Sequence, residues 1–212
     1  MKSHQAGALI TLLMSATLRS NAVMAETPSG PTFEVAPFIG YQVGGHFQQA
    51  DTGEHLGLDD HGSFAIALDA PADPSGQYEL FYGRQSTVVR GDGFAPLNVV
   101  VEYLHIGGTV LLSDSQRVKP YLAGGLGVSR LSPDSPGTDT DTRFSVSLAL
   151  GLRVPLNRHF SLRVEGRGFL TVLQSDGAVF CHSGESGGAC QITAQGSTLF
   201  QFAFLAGAAY DF

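Results

Sequence analysis

Apolar residues recur at every second position through eight stretches of the chain. The clearest is the last: Phe200, Phe202, Phe204, Ala206, Ala208, Tyr210 and Phe212 alternate with Gln201, Ala203, Leu205, Gly207, Ala209 and Asp211. A period of two is a strand period, because successive strand side chains point to opposite faces. Residues 144–154 repeat it, with Phe144, Val146, Leu148, Leu150, Leu152 and Val154 against Arg143, Ser145, Ser147, Ala149, Gly151 and Arg153. Similar stripes cover residues 33–47, 63–70, 77–88, 119–131 and 160–172, with Phe38 out of phase in the first. Residues 97–112 change phase: Val99 and Val101 fit one frame, Leu104 and Ile106 the other. A β-bulge near Glu102 would join the two frames.

The connections alternate in length. Long ones are expected near residues 48–62, 89–96, 132–142 and 174–198, short ones near 71–76, 113–118 and 155–159. An up-and-down meander of eight strands places all the long ones at one end and the short ones at the other. Barrels that span membranes with strands have this asymmetry. The predicted fold is therefore all-β: an eight-stranded antiparallel up-and-down transmembrane β-barrel.

The two faces decide between that fold and its soluble rivals. The Phe, Leu, Val and Ile stripes are too continuous for a water-facing skin. The opposite face carries Glu34, Glu79, Arg153, Arg163, Glu165, Arg167 and, in the bulged frame, Glu102. Basic residues facing lipid at the midplane cost about 2–4 kcal/mol each. Inside a closed barrel these charges can pair, and closure satisfies every backbone donor and acceptor, as lipid demands. A soluble ligand-binding barrel has the inverse pattern, and a soluble sandwich does not predict the alternation of loop lengths. Eight strands enclose a lumen that side chains just fill. The expectation is that these seven residues form a charge network closing the lumen, against the alternative of loose pairs and a water-filled gap.

Composition supports export to a membrane. Residues 1–25 open with Lys2, continue through a short apolar run at 6–18 and end on Val23-Met24-Ala25, the plan of a secretory signal. Residues 26–212 are then one barrel domain. Removing the signal takes two of 12 basic residues and none of 19 acidic ones, so 10 − 19 gives a net charge of −9. That balance excludes nucleic acid as an expected partner. No later stretch reaches 18 continuous apolar residues, so no helical span is expected. Charged residues are only 15% of the chain, against about a quarter in ordinary globular domains.

The stretches "PFIGYQVGGHF", "YELFYGRQST", "VEYLHIGGT", "PYLAGGLGVSRLSPD", "LRVEGRGFLT" and "FQFAFLAGAAYDF" together resemble small OmpA-like proteins of the outer membrane protein β-barrel domain family. The resemblance covers residues 33–212. It implies a cell outer membrane location, with outer membrane lipid and lipopolysaccharide as surroundings. It also implies that Tyr210 and Phe212 act as the C-terminal signal read by the outer-membrane assembly machinery. The resemblance is to the barrel alone, and the peptidoglycan-binding domain of full-length OmpA is not expected. A structural or surface-interaction role is expected, with a narrow porin-like pore and a lipid A-modifying enzyme as alternatives.

Four further features are weighed against that reading. Cys181 and Cys190 bracket "CHSGESGGAC", and in an exported chain two cysteines are expected to form a disulfide. The same loop contains Gly184-Glu185-Ser186-Gly187-Gly188, a G-x-S-x-G match without the strand-to-helix turn that a nucleophile elbow needs. The first long loop holds Asp51, Glu54, His55, Asp59, Asp60 and His61 without a cation-loop spacing, and reads as a solvated acidic loop. No His, Ser and acid stand together on a rigid scaffold, so no catalytic residue, metal or cofactor is expected.

Overall fold

A computed structural model describes residues 33–49, 55–91, 94–113, 117–134, 140–173, 178–182, 189–195 and 198–212. Among the described residues twelve strands run in order: β1 Glu34–Gly44, β2 His46–Gln49, β3 His55–Leu58, β4 His61–Pro71, β5 Gly76–Gly91 and β6 Phe94–Leu111. They continue with β7 Lys119–Pro133, β8 Asp141–Pro155, β9 Phe160–Val172, β10 Ala178–His182, β11 Ala189–Gln195 and β12 Thr198–Asp211. Eight of them, β1, β4 to β9 and β12, pair antiparallel in the cyclic order β1-β4-β5-β6-β7-β8-β9-β12. The ring closes where β1 meets β12, from Glu34↔Asp211 to Gly44↔Gln201. The Phe212 N–H then donates to the Phe33 carbonyl at 3.0 Å, so the last residue fastens the seam.

The period-two stripes become the two walls of this ring. Ile39 is 73% exposed, Ile106 70%, Leu148 63% and Phe204 61%, all on the outside. Gln201, Ala203, Leu205 and Ala209, their alternates on β12, are buried inside. Water would not tolerate so continuous an apolar wall; lipid requires it. The outer wall is also packed within itself. Phe200 and Phe202 lie over Gly168 and Gly166 of β9, where a Cβ on Gly166 would meet the Phe202 ring at 2.8 Å. The aromatic stripe of β12 thus covers backbone that glycine leaves bare.

The short connections sit at the end where both termini of the barrel lie. They are residues 72–75, 112–118 and 156–159. Asp73 builds the first: its Oδ1 accepts from the Ser75 N–H at 2.9 Å, the Ser75 hydroxyl at 3.1 Å and the Gly76 N–H at 2.7 Å. Asn157 does the same in the third, accepting from the His159 and Phe160 N–H groups, each at 2.9 Å.

At the opposite end the strands rise beyond the ring. β2 pairs β3, β3 pairs β5, and β11 joins β2 to β10. Gly44 and Gly45 turn the chain out of β1 with φ of 89° and 100°, a region costly for residues with a Cβ. Two expectations are corrected here. Residues 89–96 are not a long loop: β5 ends at Gly91 and β6 resumes at Phe94, with a register shift between Val89 and Gly91. No bulge lies near Glu102, because β6 holds an unbroken register with both neighbours there. Val99, Val101 and Tyr103 simply face inward while Leu104 and Ile106 face outward, so β6 is apolar on both sides. The segment 1–32, Asp51 and Glu54 of the first loop, and residues 184–188 lie outside the described residues.

Candidate functional site

The barrel interior is layered along its axis. Nearest the short turns is a cluster of charge. Arg163 Nη1 lies 2.7 Å from Glu34 Oε1 and 2.6 Å from Asp69 Oδ2, and its Nη2 lies 3.5 Å from Glu79 and 3.7 Å from Glu165. Arg167 donates from Nη2 to Glu79 and from Nε to Glu165, both at 2.9 Å. Arg153 Nη2 donates to the same Glu34 oxygen at 2.6 Å. Positions 163, 165 and 167 alternate along β9, so one strand aims all three side chains into the lumen. Arg163 and Arg167 are fully buried. Isolated charges there would be very costly, and the mutual pairing is what lets them stay.

Small residues make room for this cluster. Gly151 on β8 lies against the Tyr121 ring, which occupies the space a Cβ would need. Tyr121 thereby reaches Glu165 Oε2, donating its hydroxyl at 2.6 Å. Its ring also lies beneath Arg163, 4.8 Å from centroid to guanidinium carbon, and the Phe81 ring lies 3.9 Å from that of Arg167. Flat aromatic faces thus cover the guanidinium planes that the carboxylates leave open.

Above the charges is an aromatic layer. The Tyr103 and Phe169 rings stack 4.1 Å apart. His105 is held between Ser145 Oγ at 2.6 Å from Nε2 and Ser147 Oγ at 2.9 Å from Nδ1. Higher still, Tyr103 donates to Gln201 Oε1 at 2.5 Å, Gln201 Nε2 donates to Gln85 Oε1 at 3.1 Å, and Gln85 Nε2 donates to the Gln42 carbonyl at 3.1 Å. Val99, Val101, Leu131 and Leu199 belong with Tyr103 and Phe169 to one buried apolar cluster.

Of the seven residues expected in the lumen network, the structure brings together Glu34, Glu79, Arg153, Arg163, Glu165 and Arg167. Glu102 is the exception. It faces outward on β6, accepts from the Tyr82 hydroxyl at 2.7 Å and lies 3.7 Å from Arg84. The supposed bulge had turned it inward; without the bulge its parity is that of Leu104 and Ile106. Asp69 was missed, although its alternation with Leu68 on β4 carried the needed signal. Phe38, out of phase in the sequence, faces inward, with its ring 5.3 Å from the Arg163 guanidinium carbon.

The other candidates disperse. Asp59 takes Arg90 at 2.6 Å. Asp60 accepts from the Gly44 N–H at 3.2 Å, and its carbonyl accepts from the Tyr41 hydroxyl at 3.1 Å. His159 lies at a short turn, its Nδ1 3.1 Å from the Asp211 carbonyl. Cys181 and Cys190 are register partners across β10 and β11; their side chains lie outside the described residues. A depression of about 850 Å³ opens on the outer wall, lined by Tyr41, Leu150, Leu152, Val164 and Phe204 among others. Its lining is mostly apolar.

Comparison with known proteins agrees with this architecture. The sequence pattern described as the outer membrane protein beta-barrel domain matches residues 11–212. Among solved structures, the chain is similar to Neisserial surface protein A, with a TM-score of 0.60 at 14% identity over 85% of this chain and 97% of that one. It is similar to the outer membrane protein OprG from Pseudomonas aeruginosa, with a TM-score of 0.54 at 13% identity over 86% and 96%. It is also similar to the outer membrane protein AlkL in lipid bilayers, with a TM-score of 0.53 at 16% identity over 85% and 90%. No curated protein matches the sequence.

Proposed function

This chain belongs to the outer membrane protein beta-barrel domain family, and from that premise we propose that it is a filled barrel with a structural or surface-interaction role. In that role it displays its long-strand end outside the cell and performs no chemistry. The observation that carries the reading is the closed cluster of Arg163 and Arg167 with Glu34, Asp69, Glu79 and Glu165, backed by Tyr103, Phe169 and Phe81 across the lumen. In this reading the paired charges close the lumen to solute. Residues 1–25 serve as the cleaved export signal in this proposal, and Tyr210 with Phe212 as the signal for the assembly machinery. Lipid A mass spectrometry of cells with and without the protein tests the non-enzymatic part. An unchanged acyl and phosphate pattern is expected; a changed one would replace this reading with a lipid-modifying enzyme.

A narrow pore is the second reading, favoured by one observation. Glu34 Oε2, Asp69 Oδ1, Ser161 Oγ and Arg153 Nε are buried near the short-turn end without a hydrogen-bond partner among the described residues. Such groups are usually satisfied by buried water, and a file of water is the start of a pore.

A further inference from the structure

Charges at the short-turn end of the lumen are sorted by strand. Glu34 of β1 pairs in register with Asp69 of β4, and Asp69 with Glu79 of β5. Asp211 of β12 is the partner of Glu34 on its other side and shares the inward parity of Ala209. These four positions form one acidic arc across adjacent strands. Lys119 of β7, Arg153 of β8 and Arg163 of β9 are likewise successive register partners, a basic arc on the other side of the ring. Arg153 and Arg163 reach across to the acids, and Arg167 pairs Glu79 and Glu165 higher in the lumen.

The two signs do not balance. Among the described residues the paired cluster holds four carboxylates, of Glu34, Asp69, Glu79 and Glu165, and three guanidinium groups, of Arg153, Arg163 and Arg167, so 4 − 3 leaves one negative charge in surplus. Asp211 and Lys119 add one charge of each sign at the rim and leave that surplus unchanged. Two acceptors also lack a donor: Glu34 Oε2 and Asp69 Oδ1 are buried without a hydrogen-bond partner among the described residues. The other oxygen of each carboxyl group is engaged. Glu34 Oε1 takes Arg153 at 2.6 Å and Arg163 at 2.7 Å, and Asp69 Oδ2 takes Arg163 at 2.6 Å. Direct cross-strand partners have Cβ atoms about 4.5–5.5 Å apart, a separation at which two like charges destabilise the pair.

We propose that Asp69 carries a proton in the folded barrel and donates it from Oδ1 to Glu34 Oε2. One proton removes the surplus charge and gives both idle oxygens a partner. Two carboxylates confined to one site hold a proton between them for the same reason. Asp69 is the member that takes it. It has a carboxylate register partner on each side and one guanidinium contact, whereas Glu34 has two guanidinium contacts. A metal cation suits the place less well, because guanidinium groups 2.6–2.7 Å from these carboxyl groups repel it. The acids around Asp69 are Glu34 from β1, Glu79 from β5, Glu165 from β9 and Asp211 from β12. The bases are Lys119 from β7, Arg153 from β8, and Arg163 and Arg167 from β9, with the Tyr121 hydroxyl of β7 donating to Glu165. Those four acids and four bases already match, so an ionised Asp69 would be the odd charge. The folded chain then holds one more proton than the unfolded chain at neutral pH, and folding weakens as pH rises.

The proposal rests on the closed lumen cluster of the filled-barrel reading, and its test reads the proton separately from the lumen. Infrared spectra of the full chain folded in lipid vesicles at neutral pH should show the C=O stretch of a protonated carboxyl group. The band should shift when aspartate carboxyls carry carbon-13 and stay when glutamate carboxyls do. It should be missing in Asp69→Asn and present in Asp59→Asn. Asparagine imitates the protonated aspartate, so Asp69→Asn should keep its heat-modifiable gel shift and hold its stability as pH is raised. Relative to that variant, the wild type should lose up to about tenfold in its folding equilibrium constant per unit of pH, the slope of a single proton. No such band in the wild type, which is the result if water serves the two oxygens instead, would overturn the proposal. A band that follows the glutamate label, or equal pH slopes in the two proteins, would do the same. The labelling needs no variant, so a folding failure of Asp69→Asn leaves the outcome decided. A flat single-channel baseline without the band sinks the proton and keeps the filled barrel; the band together with stable openings does the reverse.

Discussion

Arg163 touches two carboxylates within 3 Å and two more within 4 Å, so its removal strands several charges at once. Arg163→Met is expected to destabilise the barrel by about 3–5 kcal/mol, the cost of breaking a buried ion pair. Arg90→Met removes only the exposed contact to Asp59 and should cost no more than about 1 kcal/mol. Equilibrium urea unfolding in lipid vesicles measures both; equal effects would mean that the lumen cluster is solvated. Adding Glu34→Gln and Asp69→Asn to Arg163→Met should recover part of the loss, because the stranded charges go with their partner. Asp73 offers a pH test outside the membrane. Hydrogen bonds from the Ser75 N–H, the Ser75 hydroxyl and the Gly76 N–H favour its carboxylate, so its pKa lies below the ordinary aspartate value. A lowered folded pKa means that the turn's stabilisation is present above the ordinary value and is lost as pH falls through the lowered one. An NMR titration of Asp73 with a midpoint at or above the ordinary value would contradict this. At this scale the sequence exposed six of the lumen charges, because long polar side chains in an otherwise apolar alternation have nowhere else to go. It misplaced Glu102 because a strand apolar on both faces has no readable phase.

Among the elements, the eight barrel strands were legible wherever lipid stood on one side and the lumen on the other. Above the belt that pressure ends. The short strands β2, β3, β10 and β11 lie beyond it, and "HFQQ" or "ACQITAQ" carry no stripe to read. For the same reason "RGDGFAP" announced a turn but not its length, and β5 and β6 continue almost to its middle. The β10–β11 hairpin gives the cysteine expectation a geometry. Antiparallel register partners have Cα atoms about 4.5–5.5 Å apart, within the span a disulfide bridges. We expect Cys181 and Cys190 to be joined in the exported protein, restraining the unfolded hairpin by about 2.5–3 kcal/mol. Alkylation of the denatured protein should find no free thiol before reduction and two after it; two before reduction would contradict the bond.

For the molecule as a whole, the decisive quantity is the continuity of the lumen. Inside the apolar wall a charge cluster fed by three positions of β9, a stacked aromatic layer and an amide chain follow one another along a single axis. In the proposed filled barrel each layer covers what the one below leaves open. The measurement that tests this most directly is single-channel recording of the folded full-length barrel in planar bilayers. A filled barrel gives a flat baseline, with no long-lived open steps in molar potassium chloride, and so should Arg90→Met as a control. Stable, frequent openings of the wild-type protein would show an open water path past Arg163 and Arg167, and the filled barrel would give way to a pore.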